Sequence, residues 1–334
     1  MQSHGEEILL VLIIGVFLTG FLGNGFMALV NCIDWVKRKK LSVVDLILVV
    51  LGISRISMLF IMKWKSFIII LFLDELIENQ RKIMDFLWAI SHNSSSWFGT
   101  SLSVFYFLRI ASFSHPFFFW LKWRVKQVVC ILLVGPLFIS MSTEFLMLEK
   151  YYYNRTLNSR ENERNGSQVV QVHRKEYFIE RIGLSFLNVP PFFLSAMSCF
   201  LLLLSLWKHS QRMKLKVKIA RDYSTEAHIR AMKAMLSFLL LLILYYIGIY
   251  ITYKNFSKLS SVFGVAIMSL YPAGHTFTLI LWNTKLRLTA LLVWEQMKCC
   301  LKRAFWEDGR VGQKFPASPD FLHKQTENHH EVSI

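Results

Sequence analysis

Between two apolar stretches, MDFLWAI and WFGTSLSVFYFL, the chain carries a histidine, an asparagine and four serines in the seven residues Ser91 to Trp97. Asn93-Ser94-Ser95 matches the acceptor pattern for N-glycosylation, which belongs to exposed loops. On a helix, however, Trp88, His92 and Ser96 recur every fourth residue and share one face, with Ser95 and Gly99 beside it. An indole and an imidazole beside a hydroxyl present ring surfaces with both donors and acceptors, which suits amphipathic small molecules. The competing reading is tight packing, because serine and glycine also line helices that approach closely in membranes. On either reading Asn93 lies inside apolar sequence, out of a glycosyltransferase's reach, and its acceptor pattern is silent.

Arg55 is the second such residue. It stands within an apolar segment, where an arginine costs at least roughly 2.5–3.5 kcal/mol and must turn inward to find partners. Asp45, Asp85 and Glu144 fall near segment ends. Neutral acceptors are therefore expected, with Asn24, His275 and Thr276 as the candidates. Such a constellation serves either as a structural clamp or as a switch that changes partners. Catalytic signatures are missing: there is no HExxH, GxSxG, phosphate loop or CxxC pair. The histidines are too scattered for a metal site, so neither enzyme nor cofactor is expected.

The elements that position these residues follow from composition. Of 334 residues, 54% are hydrophobic and 18% charged, and the mean hydropathy is +0.41. A soluble domain of this length needs more polar surface. Seven apolar spans are expected, at about 8–30, 43–62, 86–108, 128–148, 182–206, 231–252 and 260–282. The first is too long for a cleavable signal peptide and lacks a basic region before it. With the N-terminus outside, the cytoplasmic segments carry 23 lysines and arginines against 13 outside, which obeys the positive-inside rule. Most of the +16 net charge then faces the anionic inner leaflet, which excludes nucleic acid as its explanation.

None of the five cysteines lies in an expected outer segment, so no extracellular disulfide is available. The outer loop after the fourth span carries the acceptor asparagines Asn154 and Asn165, and a third, Asn255, lies close to the bilayer. Beyond the seventh span, Leu286, Ala290, Val293 and Met297 recur at helical spacing, as on a helix lying on the inner membrane surface. Cys299-Cys300 at its end is either palmitoylated or free. The polar tail from Glu307 is expected to be disordered.

The fold expected is thus an all-α membrane protein: a seven-transmembrane helix bundle with a short amphipathic inner-surface helix and a disordered C-terminal tail. The parts are residues 1–7 outside, 8–282 as the bundle, 283–306 as the surface helix and 307–334 as the cytoplasmic tail. The basic segment before the sixth span reads equally as a leaflet anchor and as a docking surface for a cytosolic protein.

Four blocks in order carry a resemblance: GFLGNGFMALVNCIDWVKRKKLSVVDLILVVLGISRIS, WFGTSLSVFYFLRIASFSHPFFFWLKWRV, STEAHIRAMKAMLSFLLL and LYPAGHTFTLILWNTKLR. The chain resembles the bitter taste (type 2 taste) receptors, a family of G-protein-coupled receptors. The DRY, CWxP and NPxxY motifs of rhodopsin-like receptors are absent.

The resemblance implies small bitter organic ligands outside and a heterotrimeric G protein with a gustducin-type α-subunit inside. It also implies a cell-membrane location and no nucleic-acid partner; association into receptor oligomers stays open. By family position the ligand cavity among spans three, six and seven involves Trp88, His92, Tyr245, Ile249, Val265 and Met268, alongside Ser96 from the helical stripe. The family commonly reads Asn-His where this chain reads His92-Asn93, and an imidazole can donate, accept or take a proton near neutral pH. The chain also departs at Ala273-Gly274 and at Trp282. Coupling to the G protein is expected through Arg109, Trp123, Arg124, Lys214, Lys216 and His228. The alternatives are a vomeronasal-type chemosensory receptor, against which the SFSHPFFFWLKWR and YPAGHTFTLIL blocks argue, and a small-molecule transporter. The latter predicts paired intramembrane charges and a repeat between halves that this sequence lacks.

Overall fold

In lipid, an apolar chain satisfies its backbone N–H and C=O groups only by forming helices or a closed barrel, and here helices form. The computed structural model describes residues 4–39, 42–71, 78–111, 115–161, 189–214, 223–254 and 258–311. Among them are nine α-helices: α1 (His4–Arg38), α2 (Val43–Leu71), α3 (Glu78–Ile110), α4 (Pro116–Trp123), α5 (Val125–Glu161), α6 (Val189–Lys214), α7 (Tyr223–Lys254), α8 (Lys258–Trp282) and α9 (Thr284–Val311). The described residues contain no strand.

Five helices (α1, α2, α5, α7 and α8) hold segments long and apolar enough to cross a membrane. The apolar part of α6 is shorter, Val189–Ser205. α3 falls outside this set because of its polar run. Outward-facing side chains on the five are apolar and exposed, Val11, Leu22, Ile131, Phe138 and Leu240 among them. Such a surface belongs in lipid.

The helices outrun the apolar stretches. α1 continues past residue 30 to Arg38, α2 past 62 to Leu71, and α5 past 148 to Glu161. Apolar length measures contact with lipid, whereas the helix continues until glycine, proline or a competing side chain ends it. Lys63 and Lys65, expected in an outer loop, therefore stand on α2, and Asn154 on α5. The short α4 was not anticipated as a helix. Its start is local chemistry: Pro116 takes the first turn, and the His115 ring accepts from the Phe117 amide at 3.2 Å as N-cap.

Within the first compact unit, which ends at Arg287, α1 packs on α2, α2 on α3, α6 on α7, α7 on α8, and α8 back on α1. α3 runs through the middle, touching α2, α5 and α6, which is why Ser95, Ser96, Thr100 and Ser101 are all fully buried. Small residues permit the closest approach. A Cβ on Gly248 of α7 would meet the Gly264 carbonyl of α8 at 2.8 Å, so these two backbones touch only because both positions lack side chains.

The end of the bundle bearing the α3–α4 corner is termed basal, and the opposite end apical. At the basal end the Lys285 ammonium donates to Asn31 Oδ1 (2.8 Å), Asp45 Oδ1 (3.0 Å) and Asp34 Oδ2 (2.7 Å). One cation thereby ties α1 and α2 to the start of α9. The second unit begins at Leu288 and carries the rest of α9, where residues 291–302 are all exposed. The expected surface helix at 283–306 is thus a helix from Thr284 to Val311; the tail beyond Val311 lies outside the described residues.

Candidate functional site

The α3 stripe faces inward. Trp88 is 6% exposed, His92 2% and Ser96 0%. The His92 imidazole stacks on Tyr245 of α7 with ring centroids 4.4 Å apart, and on Trp88 at 5.7 Å. The Tyr246 ring meets its edge at 6.1 Å. Trp88, Tyr245, Val265 and Met268 belong to one buried cluster, and Ile249 packs against it. The structure therefore brings together these residues of α3, α7 and α8, and their own rings fill the face.

Its polar atoms are unusual. Trp88 Nε1, both nitrogens of His92, Ser96 Oγ and the Tyr246 hydroxyl are buried without a protein hydrogen-bond partner. Buried polar atoms are nearly always paired, and each one left alone costs about 1–3 kcal/mol. Their neighbours are paired: Asn93 Nδ2 donates to Ser140 Oγ at 2.8 Å, Ser95 Oγ lies 3.2 Å from the Tyr271 hydroxyl, and Ser195 Oγ donates to Thr100 Oγ1 at 2.9 Å. These unpaired atoms lie on the ring-bearing face, with Arg55 Nε a further one deeper in the bundle, while the rest of the polar run holds α3 to α5, α6 and α8. Asn93 is 6% exposed and engaged, in keeping with a silent acceptor pattern.

Several residues of the cluster escaped sequence reasoning. Met58 and Met62 of α2, Phe238 of α7 and Tyr271 of α8 join it, yet each looks like any other apolar residue of its span. Lys65 and Asp85 close its apical side with an ion pair of 2.6 Å. Their proximity could be read only once α2 was known to continue past residue 62.

Deeper in the bundle, Arg55 is fully buried. One guanidinium nitrogen donates to Thr276 Oγ1 at 3.2 Å and another pairs with His275 Nδ1. An accepting Nδ1 requires the neutral ring with its proton on Nε2. Thr276 in turn donates to Asn24 Oδ1 at 2.7 Å, and Asn24 Nδ2 donates to the carbonyl of Pro272 at 3.0 Å. The Tyr271 ring lies 5.4 Å from the guanidinium carbon. Asn24, Arg55, His275 and Thr276 form one connected network across α1, α2 and α8, and the partners of the charge among the described residues are neutral.

A basal cavity of about 570 Å³ is lined by Tyr106, Ile110, Arg230, Leu279, Trp282 and Thr284, among others. Arg230 donates to Thr284 Oγ1 at 2.6 Å, which ties α7 to the α8–α9 turn, and Ser237 donates to Thr278 Oγ1 of α8 at 3.1 Å. Trp282 also packs against the basal core. Of the residues expected to couple to a partner, Arg109, Trp123 and Arg124 are exposed around α4, with Trp123 at 93%. Lys214 ends α6 and His228 lies in α7. Lys216 and Asn165 fall outside the described residues. Of the expected residues, Arg109, Trp123 and Arg124 do not line the cavity; Arg230, missed by the sequence reading, does.

The profile of the family described as Taste receptor protein (TAS2R) matches residues 1–298. Taste receptor type 2 member 7 of Macaca mulatta is 39% identical over 322 residues, covering 93% of this chain and all of the relative. The same-named protein of Pan paniscus is 38% identical, covering 94% and 99%. Taste receptor type 2 member 10 of Papio hamadryas is 41% identical, covering 91% and 98%. Together with the apolar helices, these matches make the chain a membrane receptor rather than an enzyme. It belongs to the TAS2R taste receptor family.

Proposed function

We propose that the protein is a seven-span, cell-membrane, G-protein-coupled bitter taste receptor whose ligands bind the apical face formed by Trp88, His92, Ser96, Tyr245, Ile249, Val265 and Met268. The observation carrying this reading is the set of buried, unpartnered polar atoms on stacked rings where α3 meets α7 and α8. A small bitter organic molecule with an aromatic or heteroaromatic ring replaces part of the ring stack and satisfies those atoms. Both gains favour the bound arrangement over the free one.

The N-terminus is extracellular, Asn154 and Asn165 are the glycosylated asparagines, and residues 283–306 and the tail are cytoplasmic. The basal cavity then faces a gustducin-type heterotrimeric G protein. Its α-subunit's terminal helix enters between α3 and α7 once the basal end of α7 swings outward, with Arg109, Trp123, Arg124, Lys214, Lys216 and His228 around the rim. The Arg55 network is the hinge that permits this movement.

The test is a calcium assay in cells expressing the chain with a promiscuous G protein, screened against bitter compounds. Trp88→Ala and His92→Ala are expected to abolish or strongly weaken responses at equal surface expression. Unchanged responses to every agonist would remove the ligand site from this face.

A further inference from the structure

A hydroxyl on a helix commonly bonds back to the carbonyl one turn earlier. On α3 this is what Ser94, Thr100, Ser101 and Ser103 do, at 2.6 to 3.2 Å. Ser96 does not: its Oγ is buried without a partner. One turn before it His92 leaves both ring nitrogens unpartnered, and across from them Tyr246 of α7 leaves its hydroxyl so. The Tyr246 ring stands at 83° to the imidazole with centroids 6.1 Å apart, whereas Trp88 and Tyr245 lie at 12° and 23° to it. Ring nitrogens point along the ring plane, so those of His92 project out of the stack. Tyr246 is half-buried while Trp88, His92 and Tyr245 are buried, which makes it the ring that turns aside at least cost.

These atoms ask for two things at once. A neutral imidazole presents one N–H and one bare nitrogen, and the hydroxyls of Ser96 and Tyr246 each donate and accept. An ammonium only donates and a carboxylate only accepts. Each would answer part of the set and carry its charge out of water to neutral partners, at a cost. A ring N–H beside a ring carbonyl answers both demands from one edge, without charge, on a flat body that stacks.

We propose that Tyr246 is a further ligand-contacting residue of this face, and that the class of ligand it selects is the neutral heteroaromatic lactam or cyclic urea. The ligand N–H donates to the bare nitrogen of His92, and the ligand carbonyl accepts from the Tyr246 hydroxyl. Ser96 Oγ is left for a further polar substituent. The proposal rests on the reading above that the Trp88 face receives ligands.

The probe is 2-quinolone, a flat lactam. Its comparators are 1-methyl-2-quinolone, which lacks the N–H, quinoline, which lacks both groups, and the charged 2-naphthoate and 2-naphthylmethylammonium. Each is titrated into the purified full-length receptor, and affinity is read from the concentration dependence of the melting temperature. In wild type 2-quinolone is expected to bind at least about tenfold more tightly than any comparator lacking the N–H or bearing a charge. Tyr246→Phe keeps the ring and removes a hydroxyl that has no partner in the free protein, so its own melting temperature holds or rises. Its affinity for both quinolones is expected to fall by about fivefold or more, with quinoline unchanged.

A charged comparator that matches 2-quinolone, or no measurable binding of 2-quinolone, overturns the ligand class. That ranking needs no variant. Equal weakening of quinoline and 2-quinolone by Tyr246→Phe, or a Tyr246→Phe that does not fold, makes Tyr246 a packing residue and overturns its role. The calcium responses of Trp88→Ala and His92→Ala separate this proposal from the reading it rests on. Unchanged responses, with the quinolone ranking intact, leave a lactam site and remove the ligand-face function. Lost responses without the ranking remove the lactam proposal alone.

Discussion

Thr276 joins Arg55 to Asn24: its hydroxyl accepts from the guanidinium at 3.2 Å and donates to the asparagine carbonyl at 2.7 Å. One side chain of α8 thus links α2 to α1 through a single oxygen. Removing it strands a buried donor and a buried acceptor together. Thr276→Val is expected to lower stability by about 1–3 kcal/mol, measured as a lower melting temperature of the purified receptor. Thr276→Ser keeps the oxygen and is expected to stay close to wild type. Equal melting of the Val and Ser variants would deny the hydroxyl this linking role.

His92→Phe separates stacking from polarity. A phenyl ring keeps the contact with Tyr245 at 4.4 Å while removing two buried nitrogens that have no protein partner. Stability is expected to hold or rise by about 1 kcal/mol or more. Responses to agonists that hydrogen-bond the ring should fall in the calcium assay. Opposite signs for melting temperature and response are the signature, and a parallel loss of both would point to packing alone.

Arg230 and Thr284 fasten α7 to the turn before α9 at 2.6 Å beside the basal cavity. Opening the cavity outward breaks this bond. Arg230→Ala or Thr284→Val is therefore expected to raise agonist-independent signalling by roughly two- to tenfold at equal surface expression, the range that about 0.5–1.5 kcal/mol of lost bonding allows. Unchanged or lower constitutive signalling in both variants would count against the latch.

Gly248 and Gly135 form a matched pair of tests. A Cβ at Gly248 would meet Met268 Cγ at 2.7 Å and the Gly264 carbonyl at 2.8 Å, whereas at Gly135 nothing lies within 4 Å. Gly248→Ala is expected to cost about 1–3 kcal/mol through overpacking, read as lost surface expression. Gly135→Ala is expected to be neutral or to gain up to about 1 kcal/mol from helix propensity. Equal expression of the two variants would show that α7 and α8 do not depend on that close approach.

Much of this protein could be read from one dimension. A described helix stands at each of the expected apolar stretches, because lipid forces the backbone to bond internally, and five of these helices are long and apolar enough to cross a membrane. The inward turn of Arg55 and of the Trp88-His92-Ser96 stripe followed from the cost of exposing charge and polarity to hydrocarbon. The helix ends were not legible, since hydropathy stops where lipid stops and the backbone does not. That error hid Lys65 and Lys63 on the extension of α2.

Sequence by itself determined which faces must be buried, since burial is a property of each residue's own chemistry. Only the tertiary structure decided which buried groups meet. His92 could have faced a serine, a carbonyl or open space; it stacks on Tyr245 because α3 and α7 are held at one particular rotation, whereas its contact with Trp88 follows from their four-residue spacing on α3. Likewise Lys65 and Asp85 meet 2.6 Å apart because α2 and α3 pack side by side. Such pairings depend on the relative placement of two helices, and no spacing within either helix encodes it.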